Sequence, residues 1–334
     1  MAEKKINDTK YLALSTMLRA KESGMLSRDL MDRMLSVQTF DEAARLIVDS
    51  GYENLAGADA TAIESELGRR RKVAFEEILK IIPQTEPVDI FRLRYDYHNI
   101  KTLVKGEGGE ENLKLLSQSG RVAPEELKEA FTVGDYRFLP KSMTEAITKS
   151  RALLARTANP QFADFETDRI YFEELTSLAE SSGNEFLQGY VRLLADNANL
   201  RTAVRTVRMG KDKDFMMLAL CPGGNVMGER LADAAFSGGD AVPALFTATP
   251  LYKAAALGAE AMKGGELTKF ELACDNGISD YVSGAKLKPF GVEAVVEYLT
   301  LLETEITSVR MILTGRLAGV NPAKIKERLR DLNA

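Results

Sequence analysis

Apolar residues recur along most of this chain at alternating spacings of three and four, which is the period of an amphipathic α-helix. The clearest stretches are residues 90–104, 186–207 and 292–313. In the first stretch, a near-heptad seam is formed by Ile90, Leu93, Tyr97, Ile100 and Val104. Such a seam suits close packing against neighbouring helices. The pattern therefore predicts an all-α fold.

Several residue patterns along the chain favour helix starts. Three capping boxes, each a threonine followed three residues later by glutamate, predict helix N-termini at Thr39, Thr61 and Thr268. Pro87 suits the first turn of a long helix. The pair Asn321-Pro322 is expected to begin the last helix.

A six-residue motif occurs three times, each time on a predicted long helix. It reads acid, two residues, small polar, aliphatic, base, and its copies are residues 96–101, 196–201 and 305–310. The copies lie 100 and 109 residues apart (196 − 96 and 305 − 196). This period matches a small domain rather than a solenoid repeat. We expect each motif helix to stop at a glycine, namely Gly106, Gly210 and Gly315.

The repeated motif predicts three similar helical units, residues 1–110, 111–215 and 216–334. We expect their junctions near residues 106–125 and in the turn-rich segment 211–250, where glycine and proline pairs cluster. Coincidence is the alternative explanation, because 28% of the residues are charged and polar residues are common on any solvated helix.

The polar motif residues have two interpretations. The acid and the amide share one helix face beside the apolar seam. They either tie helices together within each unit or line a central opening that binds a partner, with the bases adding positive charge. The residues concerned are Asp96, Asn99, Lys101, Asp196, Asn199, Arg201, Glu305 and Arg310.

Composition narrows the function classes. A net charge of −5 gives no indication of nucleic-acid binding. Only one histidine, His98, is present, and Cys221 and Cys274 form no CxxC pair, so we expect no metal site, no cofactor and no disulfide. His98 is interpreted as a polar residue at a helix contact. No catalytic cluster or phosphate-binding loop is visible. We also expect no signal peptide and no membrane span, since no apolar run reaches about 18 residues.

Several segments together resemble the C-type subunit of the V-type (archaeal and bacterial A/V-type) ATPases, which is the counterpart of the eukaryotic d-type subunit. In the last third these are Lys288-Pro289-Phe290-Gly291, residues 298–306, Val309-Arg310, Gly315 and residues 325–329. Near the start they are Tyr11, Arg19 and Met25-Leu26. Ser308 departs from the pattern, because the family usually has asparagine there, which questions a shared role for that amide.

The resemblance implies a non-catalytic subunit with three similar helical units about a pseudo-threefold axis, arranged like a funnel. It implies a place between the D- and F-type central-stalk subunits of the ATPase head and the membrane rotor ring. The chain would then be cytoplasmic, reach the membrane only through that ring and bind no nucleotide. Two alternatives stay open: an unrelated all-helical scaffold or adaptor, and an enzyme with an active site between helices.

Overall fold

The computed structural model describes residues 8–106, 108–109 and 114–330. Throughout this part every regular element is a helix, which confirms the all-α prediction. The described chain forms two compact units. The central unit is continuous, Gln84–Cys274, whereas the terminal unit combines residues 8–83 with 275–330. The threefold arrangement and the unit boundaries near residues 110 and 215 remain predictions.

The helices are numbered in chain order. Those before residue 84 are α1 Leu12–Glu22, α2 Arg28–Ser36, α3 Phe40–Arg45 and α4 Ala60–Leu79. The central unit follows with α5 Glu86–Lys105, α6 Pro124–Val133, α7 Lys141–Thr157, α8 Pro160–Ser181, α9 Glu185–Arg208, α10 Lys213–Ala219, α11 Gly228–Phe236, α12 Val242–Leu245 and α13 Tyr252–Met262. The last helices are α14 Leu267–Ser283, α15 Val292–Leu317 and α16 Pro322–Lys326. Short 3-10 helices occur at Asp8–Tyr11, Val48–Ser50 and Gly284–Leu287.

The 26-residue helix α15 is the centre of the terminal unit. It packs against α1, α2, α3, α4 and α16. The predicted seam along it is buried, including Leu299, Leu302 and Ile306. Helix α15 therefore organises a unit that combines residues from both ends of the sequence.

Two motif helices organise the central unit. Helix α5 packs on α6, α7 and α8, while α9 packs on α8, α10, α11 and α13. Small residues on α13 allow a close approach to α9: a Cβ at Gly258 would lie 3.0 Å from Val204 Cγ2. The segment 211–250, expected as a turn-rich junction, contains the three helices α10, α11 and α12.

Local helix signals were only partly right. The capping box at Thr39 is confirmed, as are the first-turn position of Pro87 and the cap at Asn321. The box at Thr61 is wrong, because Asp59 caps α4 by accepting a hydrogen bond from the Ala62 N–H at 2.8 Å. The box at Thr268 is also wrong, since α14 already begins at Leu267.

The glycine stops hold for two motif helices and fail for the third. Gly106 caps α5, and Gly210, with φ +64°, follows the end of α9. Gly315 lies inside α15, which continues to Leu317. A Cβ at Gly315 would lie 2.7 Å from Ile325 Cδ1, so this glycine provides space for the last helix instead. Across the described residues, no helix has the length and apolarity needed to cross a bilayer.

Candidate functional site

Asp96 and Asn99, on the buried face of α5, hold the first loop (residues 117–122) through its backbone. Asn99 Nδ2 donates to Ser117 O at 2.9 Å, and Ser117 N donates to Asn99 Oδ1 at 2.7 Å. Asp96 Oδ1 accepts from the N–H groups of Arg121 and Val122 at 2.8 and 3.1 Å. Both motif side chains are 0% exposed. We call such a set of bonds a loop clasp.

Asp196 and Asn199, on α9, form the same clasp with the second loop (residues 221–226). Asn199 Nδ2 donates to Cys221 O at 2.8 Å, and Cys221 N donates to Asn199 Oδ1 at 2.7 Å. The Val226 N–H donates to Asp196 Oδ1 at 2.9 Å. The order of the contacts along helix and loop is the same as in the first clasp.

One glycine in each of these loops touches the motif acid. A Cβ at Gly120 would lie 2.3 Å from Asp96 Oδ1, and a Cβ at Gly224 would lie 2.3 Å from Asp196 Oδ1. Real Cβ atoms do not approach oxygen so closely. The two loops therefore lie at the same distance from their helices, and both positions require glycine.

The third motif copy, on α15, holds a loop that precedes it in the chain. Glu305 Oε2 accepts from the Leu26 N–H at 2.7 Å, and Oε1 accepts from Tyr52 OH at 2.7 Å. The Arg70 guanidinium is 3.3 Å from Oε1. A Cβ at Gly24 would meet only Lys21 O, at 3.5 Å. Because glutamate is one methylene longer than aspartate, the third loop (residues 23–26) is held farther from its helix.

The three loops share a sequence signal that is separate from the six-residue motif. Each has a glycine two residues before the aliphatic residue that donates to the motif acid, and a helix begins two residues after that aliphatic residue. The glycines are 96 and 104 residues apart (120 − 24 and 224 − 120), close to the motif spacing. The loop segments are Gly24-Met25-Leu26, Gly120-Arg121-Val122 and Gly224-Asn225-Val226.

Ser308, which stands at the amide position of the third copy, makes no clasp. It is 0% exposed, and within the described residues its Oγ has no hydrogen-bond partner. The hydroxyl is shorter than an amide and has a single polar atom, whereas an amide bonds the N–H and the C=O of one residue through two separate atoms. The serine at this position thus removes half of the third clasp.

The bases at position six each pair with a carboxylate from a neighbouring helix. Lys101 Nζ is 2.5 Å from Asp168 on α8, Arg201 Nη1 is 3.0 Å from Glu271 on α14, and Arg310 Nε is 2.5 Å from Glu64 on α4. These acids offset the positive charge expected at the motif.

The single histidine, His98, is exposed on α5, and its Nε2 is 3.3 Å from Leu115 O.

Comparison with known proteins decides the family. Residues 14–328 match the family model described as ATP synthase (C/AC39) subunit. The chain belongs to this family. The resemblance to the C-type subunit of the V/A-type ATPases, inferred above from scattered segments, is confirmed over nearly the whole length.

Full-length relatives are C-type subunits of the same class of complex. That of the V-type sodium ATPase of Enterococcus hirae is 24% identical over 326 residues, covering 96% of this chain and 98% of the relative. That of the A-type ATP synthase of Methanocaldococcus jannaschii is 22% identical, with 96% and 86% covered. The A-type relative from Methanosarcina acetivorans is 24% identical, with 98% and 94% covered. The C-type subunit is a non-catalytic member of these complexes.

The two complete clasps of this C/AC39 family member differ in charge. In the first, Arg121 Nε donates to Asp96 Oδ2 and Nη2 donates to Glu174, both at 2.8 Å. In the second, the neutral Asn225 side chain donates to Asp196 Oδ2 at 2.9 Å. Burial raises the pKa of both aspartates, while the hydrogen bonds they accept act in the opposite direction.

We expect Asp196→Asn to remove a pH dependence of stability. Because burial raises the folded-state pKa of Asp196, its contribution is greatest below the ordinary value of 3.8 and is lost as pH rises to the raised pKa. The free energy of unfolding of the asparagine variant therefore rises relative to that of the wild type across that window. The relative change is about 1.4 kcal/mol for each unit by which the pKa is raised. Urea unfolding between pH 3.5 and 7 measures the difference.

A matched control for this experiment is Asp214→Asn, at an exposed position on α10. This variant keeps Asp196 and should therefore keep the pH dependence that Asp196 gives the wild type. The assigned direction of the pKa shift is contradicted if the stability difference between the wild type and Asp196→Asn does not change with pH.

Proposed function

We propose that the chain couples the central stalk of a rotary V/A-type ATPase or ATP synthase to its membrane rotor ring, without catalysing a reaction itself. The observation that carries the proposal is the family match over residues 14–328. The V-type and A-type relatives are matched over most of their own length, which supports the same role here. The proposed partners are the D- and F-type stalk subunits and the rotor-ring subunits.

The loop clasps suit a part that transmits rotation. A rotor component has to pass torque between its partners without local yielding. Buried polar groups whose hydrogen bonds are satisfied make a structure rigid and specify one arrangement. In this chain the clasps fix the first and second loops to α5 and α9, so that the loops move with the helices.

The loops themselves are the proposed contact surface. Gln118 in the first loop, Pro222 and Asn225 in the second and Gly24 in the third are accessible to solvent, whereas the motif acids beneath them are buried. We therefore assign the eight motif residues an indirect part in partner binding. The acids and amides hold the loops, whereas the three bases tie the motif helices to neighbouring helices. The proposal includes three similar units about a pseudo-threefold axis, and a location at the cytoplasmic face of the membrane through the ring.

Co-purification and reconstitution test the proposal. A tagged chain, expressed with the D-type, F-type and ring subunits of its own organism, is expected to retain the stalk pair and the ring together. In reconstituted vesicles, ATP-driven ion transport should require the chain. Failure to bind either partner, or transport at full rate without the chain, overturns the proposal.

The pure chain is expected neither to bind nor to hydrolyse ATP, which isothermal titration calorimetry and a phosphate-release assay measure. The stalk-containing ATPase head, assayed in parallel, provides the positive control. Specific ATP binding by the chain alone favours the alternative of an enzyme with a site between helices.

A further inference from the structure

Two glutamates lie buried in the first turns of α15. Glu293 and Glu297 are one helical turn apart and each is 1% exposed. Lys288 Nζ is 2.5 Å from Glu293 Oε1 and pairs with it. Carboxylates are rarely buried so completely unless a cation balances each of them. Glu293 meets this condition through Lys288, whereas the cation nearest to Glu297 is also paired with a second acid.

Glu297 has to share its cation with another acid. Arg19 Nη1, on α1, is 2.7 Å from Glu297 Oε2 and 2.8 Å from Glu22 Oε2. A single guanidinium nitrogen therefore lies between two carboxylates. The group of Arg19, Glu22 and Glu297 carries a net charge of −1 when both acids are ionised (+1 − 2), and one added proton neutralises it.

Other charged groups around Glu297 do not remove this excess. Lys286, in the 3-10 helix before α15, attracts Glu297 more weakly than Glu22 repels it. On α4, which also packs against α15, Glu77 pairs with Lys21 at 2.7 Å. The acid excess is therefore concentrated where α1 meets α15.

We propose that Arg19, Glu22 and Glu297 form a proton-binding site that controls how firmly α1 packs on α15. The ligand is a proton, and the group that binds it is the Glu297 carboxylate, which shares the Arg19 guanidinium with Glu22. The inference is independent of the proposed coupling function, because it concerns the packing of one helix within the terminal unit.

The electrostatics set the direction of the effect. Burial raises the pKa of Glu297, and repulsion by Glu22 adds to this, while the contact with Arg19 opposes it. When α1 moves away, Glu297 becomes exposed and its pKa returns toward 4.5. The packed state therefore binds the proton more tightly than the open state. Helix α1 packs most firmly in acid and loosens as pH rises from 4.5 to the raised pKa.

Hydrogen exchange of the α1 amides in the full chain tests the proposal. After correction for intrinsic exchange rates, the protection factor of α1 in the wild type should fall by up to about tenfold for each pH unit within that window. Glu297→Gln keeps the shape of the side chain but cannot ionise, so its protection should stay high and independent of pH. Glu76→Gln, at an exposed position on α4, is the matched control and should behave as the wild type.

Glu22→Gln provides a second variant should Glu297→Gln fail to fold. Removing the neighbouring negative charge leaves Arg19 to Glu297 alone, which lowers the pKa of Glu297. The fall in protection should then end at a lower pH than in the wild type. A flat wild-type profile, an unchanged profile in Glu22→Gln, or a pH dependence that persists in a folded Glu297→Gln overturns the proposal.

Discussion

Gly224→Ala is expected to lower the free energy of unfolding by about 3 kcal/mol, the largest effect of a single methyl group that we foresee in this chain. The added Cβ would lie 2.3 Å from Asp196 Oδ1 and 3.3 Å from the backbone nitrogen of Asp196. The second loop must then leave α9, which breaks the hydrogen bond from the Val226 N–H to a buried carboxylate. Urea unfolding followed by circular dichroism measures the loss. Gly120→Ala should behave alike.

Gly24→Ala is the matched control in the third loop. Its Cβ meets only Lys21 O at 3.5 Å, an ordinary contact, so we expect a change below roughly 0.5 kcal/mol. Gly68→Ala, on α4 with open space around the Cβ, should stabilise the chain by roughly 0.5–1 kcal/mol. Equal losses for Gly24→Ala and Gly224→Ala would show that loop flexibility, and not contact with the motif acid, sets the cost.

Asn199→Ala is expected to cost roughly 2–3 kcal/mol, because both the N–H and the C=O of Cys221 lose their partner in a half-buried place. Asn99→Ala should cost a similar amount. Ser308→Ala, at the equivalent position of α15, should change stability little, since the described structure gives its hydroxyl no partner. Denaturant unfolding of the three variants gives the comparison.

The same variants separate the two interpretations of the motif. Arg201→Ala removes a partly exposed ion pair and should cost less than about 1 kcal/mol. If Asn199→Ala unfolds like the wild type yet loses binding to the proposed stalk partners, the amide contacts the partner directly and its structural assignment is wrong. A destabilised variant that still binds the stalk supports the clasp.

Local sequence signals predicted a helix end correctly where that end depends on neighbouring residues alone. The capping box at Thr39 and the cap at Asn321 involve residues within four positions of each other. The box at Thr61 failed because another capping residue, Asp59, stands two positions earlier and sequence alone does not rank them. The expected helix stop at Gly315 is wrong for a different reason: the role of this glycine depends on Ile325, which reaches it only when α16 folds back.

The motif helices were found from the sequence, but their loops were not. An acid and an amide three residues apart indicate a shared helix face, yet nothing in that spacing says which backbone they bind. The Gly-x-aliphatic segments mark the backbone that the motif acids bind. Each segment has only three residues, which is too short a pattern to be recognised in a single sequence. The contact between the third loop and α15 was the hardest to predict from the sequence, because this loop precedes its motif helix instead of following it.

The hydrogen bond between Leu26 and Glu305 joins residues 279 positions apart, and this has a consequence for biosynthesis. At roughly 5–20 residues per second, a ribosome needs about a quarter of a minute to a minute to make the intervening chain. The central unit is continuous and can fold while this happens. Helices α1 to α4 leave the ribosome before the central unit, but α15, against which they pack, is made after it. The apolar faces of α1 to α4 therefore stay exposed on the nascent chain until α15 is made, and we expect chaperones to bind them.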